Sequence, residues 1–131
     1  MIKPDFTNPK FWKELRKRTS LDGRIGEEEC YYWCYDALKL LSEYGAHGFK
    51  IIDGTLPRET VRKYSLFMDD HRVLAREYPS GIFIADGTAG QVNKRYPEGY
   101  YGYSINAPRK LKLFYDDAIR RWKEEKFKKQ P

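Results

Sequence analysis

Two apolar-rich runs facing each other across a four-residue turn signal constrain this fold more than any other part of the chain. His71-Arg72-Val73-Leu74-Ala75-Arg76-Glu77 and Ile82-Phe83-Ile84-Ala85-Asp86 flank Tyr78-Pro79-Ser80-Gly81. Aliphatic and aromatic side chains suit a pleated, half-buried surface, and Pro and Gly stand where a type I turn accepts them. The stretch is a predicted antiparallel hairpin. With Tyr78 opposite Gly81, Asp86 falls opposite Val73, which shares a sheet face with His71 because strand side chains alternate. A register displaced by two in the sum sets Asp86 directly opposite His71. In both registers an imidazole and a carboxylate meet on one face.

The elements around the hairpin follow from local signals. Asn8-Pro9 ahead of Phe11, Trp12 and Leu15 supplies a cap, a first-turn proline and an apolar stripe, predicting a short helix that ends near Thr19. Leu21-Asp22-Gly23-Arg24 carries turn chemistry. Glu27-Glu28-Glu29 then puts negative charge where a helix amino end favours it, and Cys30, Trp33, Cys34, Ala37, Leu38 and Leu41 fall on one face of a second helix stopped by Gly45. Phe49-Lys50-Ile51-Ile52 reads as a strand ended by Asp53-Gly54, and Pro57 to Tyr64 as a polar connection. A strand is predicted over Tyr100 to Ile105 and a helix over Pro108 to Lys126.

Two helices, an antiparallel sheet and a final helix make an α+β arrangement. At 131 residues, without repeats or Gly/Ser linkers, residues 1–131 are expected to form one domain.

No run approaches the ~20 apolar residues a bilayer span requires, and the first residues lack the hydrophobic segment of a secretion signal. The expected location is cytoplasmic, or outside the cell by a route without a cleavable signal. Cys30 and Cys34 are too few for a disulfide scaffold and, four apart on one helix, are poorly placed for an S–S bond. They are read as free thiols. The net charge of +6 comes from cations crowded into the two terminal helices, Lys10 to Arg18 and Arg120 to Lys129, the pattern of solvated helix faces.

Thiol chemistry needs a cysteine near a helix amino end, an imidazole to take its proton and a carboxylate or amide to orient the imidazole. Cys30 lies in the first turn of the buried helix, where unpaired backbone N–H groups can face an oxyanion. Cys34 lies one turn deeper, with its N–H bonded to the carbonyl of residue 30, and reads as a core residue. Cys30, His71 and Asp86 are therefore the candidate catalytic residues.

Helix-borne Cys30, the leucine-rich helix ending at Gly45, His71-Arg72-Val73-Leu74, and Ile84-Ala85-Asp86-Gly87-Thr88-Ala89-Gly90-Gln91 together resemble the papain-like cysteine hydrolase superfamily. The likeness covers roughly residues 26 to 91 and is strongest to its small bacterial toxin and glutamine-deamidase branches. The resemblance implies that Cys30 attacks an amide carbonyl, His71 shuttles the proton, Asp86 orients His71, and water resolves a thioester. It implies a protein or peptide substrate, an inhibitory partner protein for a toxin-like effector, and no cofactor. It places glutamine deamidation ahead of peptide-bond cleavage. The chain has no Gln before Gln91, so the oxyanion donor must come from elsewhere, such as the Cys30 backbone N–H or a side chain in Arg24 to Glu28.

Thr88, Gln91 and Tyr100, which follow Asp86, are the expected substrate-binding residues. Tyr96, Tyr100, Tyr101 and Tyr103 suit a cleft wall, base stacking or ordinary packing, and no nucleic-acid motif accompanies them. His47 reads as a loop residue, and Asp69-Asp70 as strand-edge charges. Cys30, Cys34, His47 and His71 lack the paired spacing of zinc sites, so no metal is expected. The competing reading is a non-catalytic basic module that binds nucleic acid or an acidic protein through its terminal helices.

Overall fold

The structure, a computed structural model, describes residues 5–19, 29–55 and 70–128. The elements are α1 (Pro9–Lys17), α2 (Glu29–Glu43), β1 (Lys50–Thr55), β2 (Asp70–Tyr78), β3 (Gly81–Asp86), a 3-10 turn at Ala89–Gln91, β4 (Tyr100–Tyr103), a second 3-10 turn at Ser104–Asn106 and α3 (Arg109–Lys128). The strands form one antiparallel sheet in the order β1-β2-β3-β4, and the architecture is α+β. The turn predicted at Leu21 to Arg24, residues Glu27 and Glu28, the connection Pro57 to Tyr64, and Asp69 lie outside the described residues. No helix among those described is long and apolar enough to cross a membrane.

The caps form as the sequence dictates. The Asn8 side chain accepts a hydrogen bond from the Lys10 backbone N–H, and Pro9 opens α1. At the end of α2 the Ala46 N–H donates to the Leu41 carbonyl and the Gly45 N–H to the Ser42 carbonyl, with Gly45 at φ +71°. This is the Schellman arrangement, in which the left-handed residue costs least when it has no Cβ.

The hairpin takes the first of its two anticipated registers, with Tyr78 opposite Gly81 and Leu74 opposite Ala85. Alternation then sorts the side chains into two cores. Leu74, Phe83, Ala85 and Tyr101 pack with Trp12 and Leu15 of α1 and Trp33, Cys34, Ala37 and Leu41 of α2. Ile52, Val73, Ala75 and Ile84 pack with Leu111, Phe114, Tyr115 and Ala118 of α3. The sheet is thus the middle of three layers, and each face buries its own apolar stripe. Trp12 anchors the first core, stacked 6.0 Å from the Tyr101 ring at 9° while its indole N–H donates to the Phe6 carbonyl.

Two strand ends depart from expectation. β1 does not stop at Asp53-Gly54 but runs on to Thr55, with Gly54 paired opposite His71. A Cβ on Gly54 would lie 2.6 Å from the Phe114 ring, so the glycine is there to let α3 close on the sheet, and a turn signal was the wrong reading of it. β4 stops at Tyr103 instead of reaching Ile105, because the Ala107 N–H turns back to the Ser104 carbonyl in a 3-10 turn.

Gly54→Ala is expected to lose roughly 1–3 kcal/mol through overpacking against Phe114. Urea denaturation checks this. Phe114→Leu in the same chain should recover part of the loss, and strict additivity of the two changes would contradict the assigned contact.

Candidate functional site

β2 runs further at its amino end than its pairing with β3, whose last partner pair is Leu74 and Ala85. Continuing that register sets Asp86 level with Val73, two residues from His71 and on the same face. The corner left beyond β3 is filled by Gly87, Thr88 and the Ala89–Gln91 turn. The sheet therefore ends around His71, and side chains from both helical layers can reach it.

His71 is fully buried, and each ring nitrogen meets an oxygen. Nε2 lies 2.9 Å from Asp86 Oδ1, and Nδ1 lies 2.7 Å from Gln91 Oε1. Burial, the largest single influence, pulls the proton affinity of the ring down. The Asp86 charge and hydrogen bond overcome it, hydrogen bonding and charge from Cys30 add to the upward push, and the value rises from an ordinary 6.5 to about 10. At neutral pH the ring is an imidazolium donating on both sides. The Phe114 ring meets it edge-on at 5.1 Å.

Asp86 is equally buried, and its carboxylate is surrounded by donors. Besides His71, the Thr88 backbone N–H reaches Oδ1 at 3.3 Å, and the Tyr115 hydroxyl donates to Oδ2 at 2.8 Å. Burial and the neighbouring Asp86 charge push the Tyr115 phenol well above its usual range, so it remains a donor. Every donor costs less than an uncompensated buried carboxylate would.

Cys30 arrives from the opposite layer. It is the second residue of α2, in the turn whose backbone N–H groups have no partner within the helix, and it is 4% exposed. The next residue fixes that helix end, because the Arg72 guanidinium stacks 4.7 Å over the Tyr31 ring while its Nε donates to Asp53. Cys34 is different. Burial first, then the charges of Cys30 and Asp86, push its thiol well above the ordinary range. It stays protonated and packs in the α1–α2 core, as expected of a structural cysteine.

The loop after Asp86 is held by contacts that no local pattern announces. A Cβ on Gly87 would lie 2.1 Å from the Trp33 indole, so only glycine lets α2 close there. Arg16 of α1 donates from Nε to the Gly87 carbonyl at 2.9 Å and from Nη2 to the Pro97 carbonyl at 3.2 Å. The buried Trp33 Nε1 and Thr88 Oγ1 beside this loop have no hydrogen-bond partner among the described residues.

The structure thus brings Cys30, His71 and Asp86 together. It places Gln91 on His71 itself and Thr88 on Asp86 through its backbone. Tyr100 is not brought to the thiol. Its ring stacks 5.7 Å from Tyr115 and its hydroxyl donates to the Tyr103 carbonyl, which places it behind Asp86 in the α3-side core. Arg16, Trp33 and Tyr115 are the site residues that sequence reasoning missed. Among the described residues, no group of three or more His, Cys, Asp or Glu is placed to hold a metal ion. The chain matches no known family model, no curated protein and no solved structure.

The His71 proton has a thermodynamic sign. Below its ordinary value of 6.5 both folded and unfolded chains hold it, and the contribution to stability is whole. Between there and about 10 the folded chain holds one proton more than the unfolded chain, so rising pH favours unfolding. The urea midpoint is expected to fall between about pH 7 and pH 8.5, before unfolded thiols titrate fully, and Asp86→Asn should flatten this fall. A midpoint that is level over that range in the unmodified chain would contradict the assigned pairing.

Proposed function

We propose that this chain hydrolyses amides as a papain-like thiol hydrolase, with Cys30 as nucleophile, His71 as proton carrier and Asp86 as its orienter. The side-chain amide of a protein glutamine is the preferred substrate class, and the peptide bond the second. One observation carries the reading. A buried imidazolium is held between the Asp86 carboxylate and the Gln91 carboxamide oxygen, and hydrogen bonding and charge from Cys30, at a helix amino end, add to its hold on the proton.

The chemistry follows from the groups present. With the His71 ring already protonated, the Cys30 sulfur gives its proton to water and attacks the carbonyl carbon, forming the C–S bond and pushing the carbonyl electrons onto oxygen. Backbone N–H groups in the first turn of α2, which have no partner within the helix, are suited to receive that oxyanion. As the carbonyl reforms, the C–N bond breaks and the imidazolium passes its proton to the leaving nitrogen, releasing ammonia or an amine. The neutral ring then takes a proton from water, whose oxygen attacks the thioester. Cleavage of the C–S bond gives a carboxylic acid, and the sulfur recovers its proton.

A further observation favours this reading over a basic binding module. On α3, Arg120 pairs with Asp117 and Glu124, Arg121 with Asp117, and Lys112 with Asp116. Arg16 is spent on two carbonyls of the site loop. Cations engaged in this way give a weaker field for a polyanion than their number suggests.

Ammonia release from a glutaminyl protein substrate tests the proposal. Cys30→Ala is expected to fall to background, and His71→Ala to lose about a hundredfold or more. Cys34→Ala should keep turnover while losing roughly 1–2 kcal/mol of stability as a core truncation. Equal loss of turnover in the two cysteine variants, or full activity without Cys30, would overturn the assignment.

A further inference from the structure

Three arginines are half-buried among the described residues, and two of them are bound to acceptors of the chain itself. Arg16 holds the Gly87 and Pro97 carbonyls, and Arg72 pairs with Asp53 and Asp70. Arg76, the third, has neither a hydrogen bond nor an ion pair to any described residue. Its guanidinium is fixed all the same, lying 4.9 Å over the Tyr78 ring and 5.6 Å over the Phe49 ring. A Cβ on Gly48 would meet Arg76 Nε at 3.3 Å, so the glycine lets the group lie close against the loop after α2.

Arg76 also lines a groove of about 390 Å³, together with Asp5, Thr7, His47 and the apolar surfaces of Phe6 and Tyr78. That volume suits a small ligand. The acceptors an arginine would ordinarily find there are taken. At the end of α2 the Leu41 and Ser42 carbonyls receive the Ala46 and Gly45 N–H groups. Asp5, the carboxylate on the groove, accepts the Thr7 hydroxyl and the Thr7 N–H at one oxygen, and these bonds hold its carboxyl below the usual value, so it stays charged. A planar fork of N–H donors is thus left without a protein acceptor, on a side chain that two rings already position.

We infer that Arg76 anchors a second binding site, which takes the carboxylate of a small acid or of a peptide carboxyl terminus. A guanidinium meets a carboxylate through two parallel charge-assisted hydrogen bonds, and a fork already held in place loses little freedom in making them. Asp5 sets the preference. One fixed negative charge beside one cation tolerates a monoanion and disfavours a dianion such as phosphate. Phe6 and Tyr78 give the apolar part of the acid a surface to lie on. The site is distinct from that of Cys30, because Arg76 lies five residues beyond His71 on β2, roughly 16 Å at the strand rise of ~3.3 Å per residue, and at the other end of α2. The inference therefore stands apart from the catalytic reading.

Titration of the full nitrogen-15-labelled chain with sodium propionate tests this, with chloride keeping the ionic strength constant and the Gly48 backbone amide and Arg76 Nε–H as the signals. Propionate is expected to shift both saturably, and chloride alone to leave them in place. Arg76→Lys keeps the charge and loses the two-point contact, so propionate should bind about tenfold more weakly. Asp5→Asn removes the opposing charge and should tighten binding about twofold. Inorganic phosphate should bind more weakly than propionate. N-acetylalanylalanine separates the two sources of the carboxylate: tighter binding than propionate identifies the peptide terminus, and equal or weaker binding the small acid.

No saturable shift with propionate beyond that with chloride, equal affinity in Arg76→Lys, or phosphate binding more tightly than propionate would overturn the inference. So would an affinity that Asp5→Asn leaves unmoved or weakens. That variant changes one exposed side chain and leaves Arg76 between its two rings, so its result does not depend on whether Arg76→Lys folds.

Discussion

A charged imidazole and a carboxylate, both sealed from water, set the terms that the rest of this molecule has to meet. Leaving either partner alone in that environment would cost several kcal/mol, so the pair survives only where every remaining hydrogen-bonding position is also supplied. The fold supplies them from three directions. α3 brings the Tyr115 hydroxyl to the far oxygen of Asp86, the turn after β3 brings the Thr88 N–H, and the same turn carries Gln91 round to the second ring nitrogen. The sheet must be covered on both faces for this to work, and the two separate apolar clusters are that covering.

The same requirement accounts for the contacts at the edge of the site. The loop after Asp86 has to turn sharply and stay put, since it presents two of the groups on which the pair depends. Trp33 packs against it where a side chain on Gly87 would collide, and Arg16 fastens its carbonyl from α1. The first helix, remote from the thiol in sequence, is thereby tied to the geometry of Asp86. The Cys30 end of α2 is fixed independently, through Arg72 stacked on Tyr31. Sulfur and imidazole are positioned by different layers, and their meeting is a property of the whole packing.

Much of this was legible in local pattern. Turn chemistry and alternation located the hairpin and brought His71 and Asp86 to one face, because register in a two-residue hairpin is set by the turn itself. The position of Cys30 against Cys34 along one helix separated a sulfur beside His71 from a core thiol. What stayed hidden arises from contacts between distant segments, which leave no periodic trace. Tyr115 read as one more apolar position on α3, and nothing in Arg16 distinguishes a loop clamp from a solvated cation. Gly54 read as a turn because its actual cause, the Phe114 ring, lies sixty residues away in the chain. Tyr100, read as a cleft residue, turned inward because strand alternation puts it on the α3 side with Tyr115.

Nitrogen-15 spectra of the His71 ring in the intact chain test the central claim most directly. The account predicts that both ring nitrogens carry protons at neutral pH and keep them well above the ordinary histidine range, and that Asp86→Asn removes this signature. A neutral ring at neutral pH, titrating as a solvent-exposed histidine does, would contradict it.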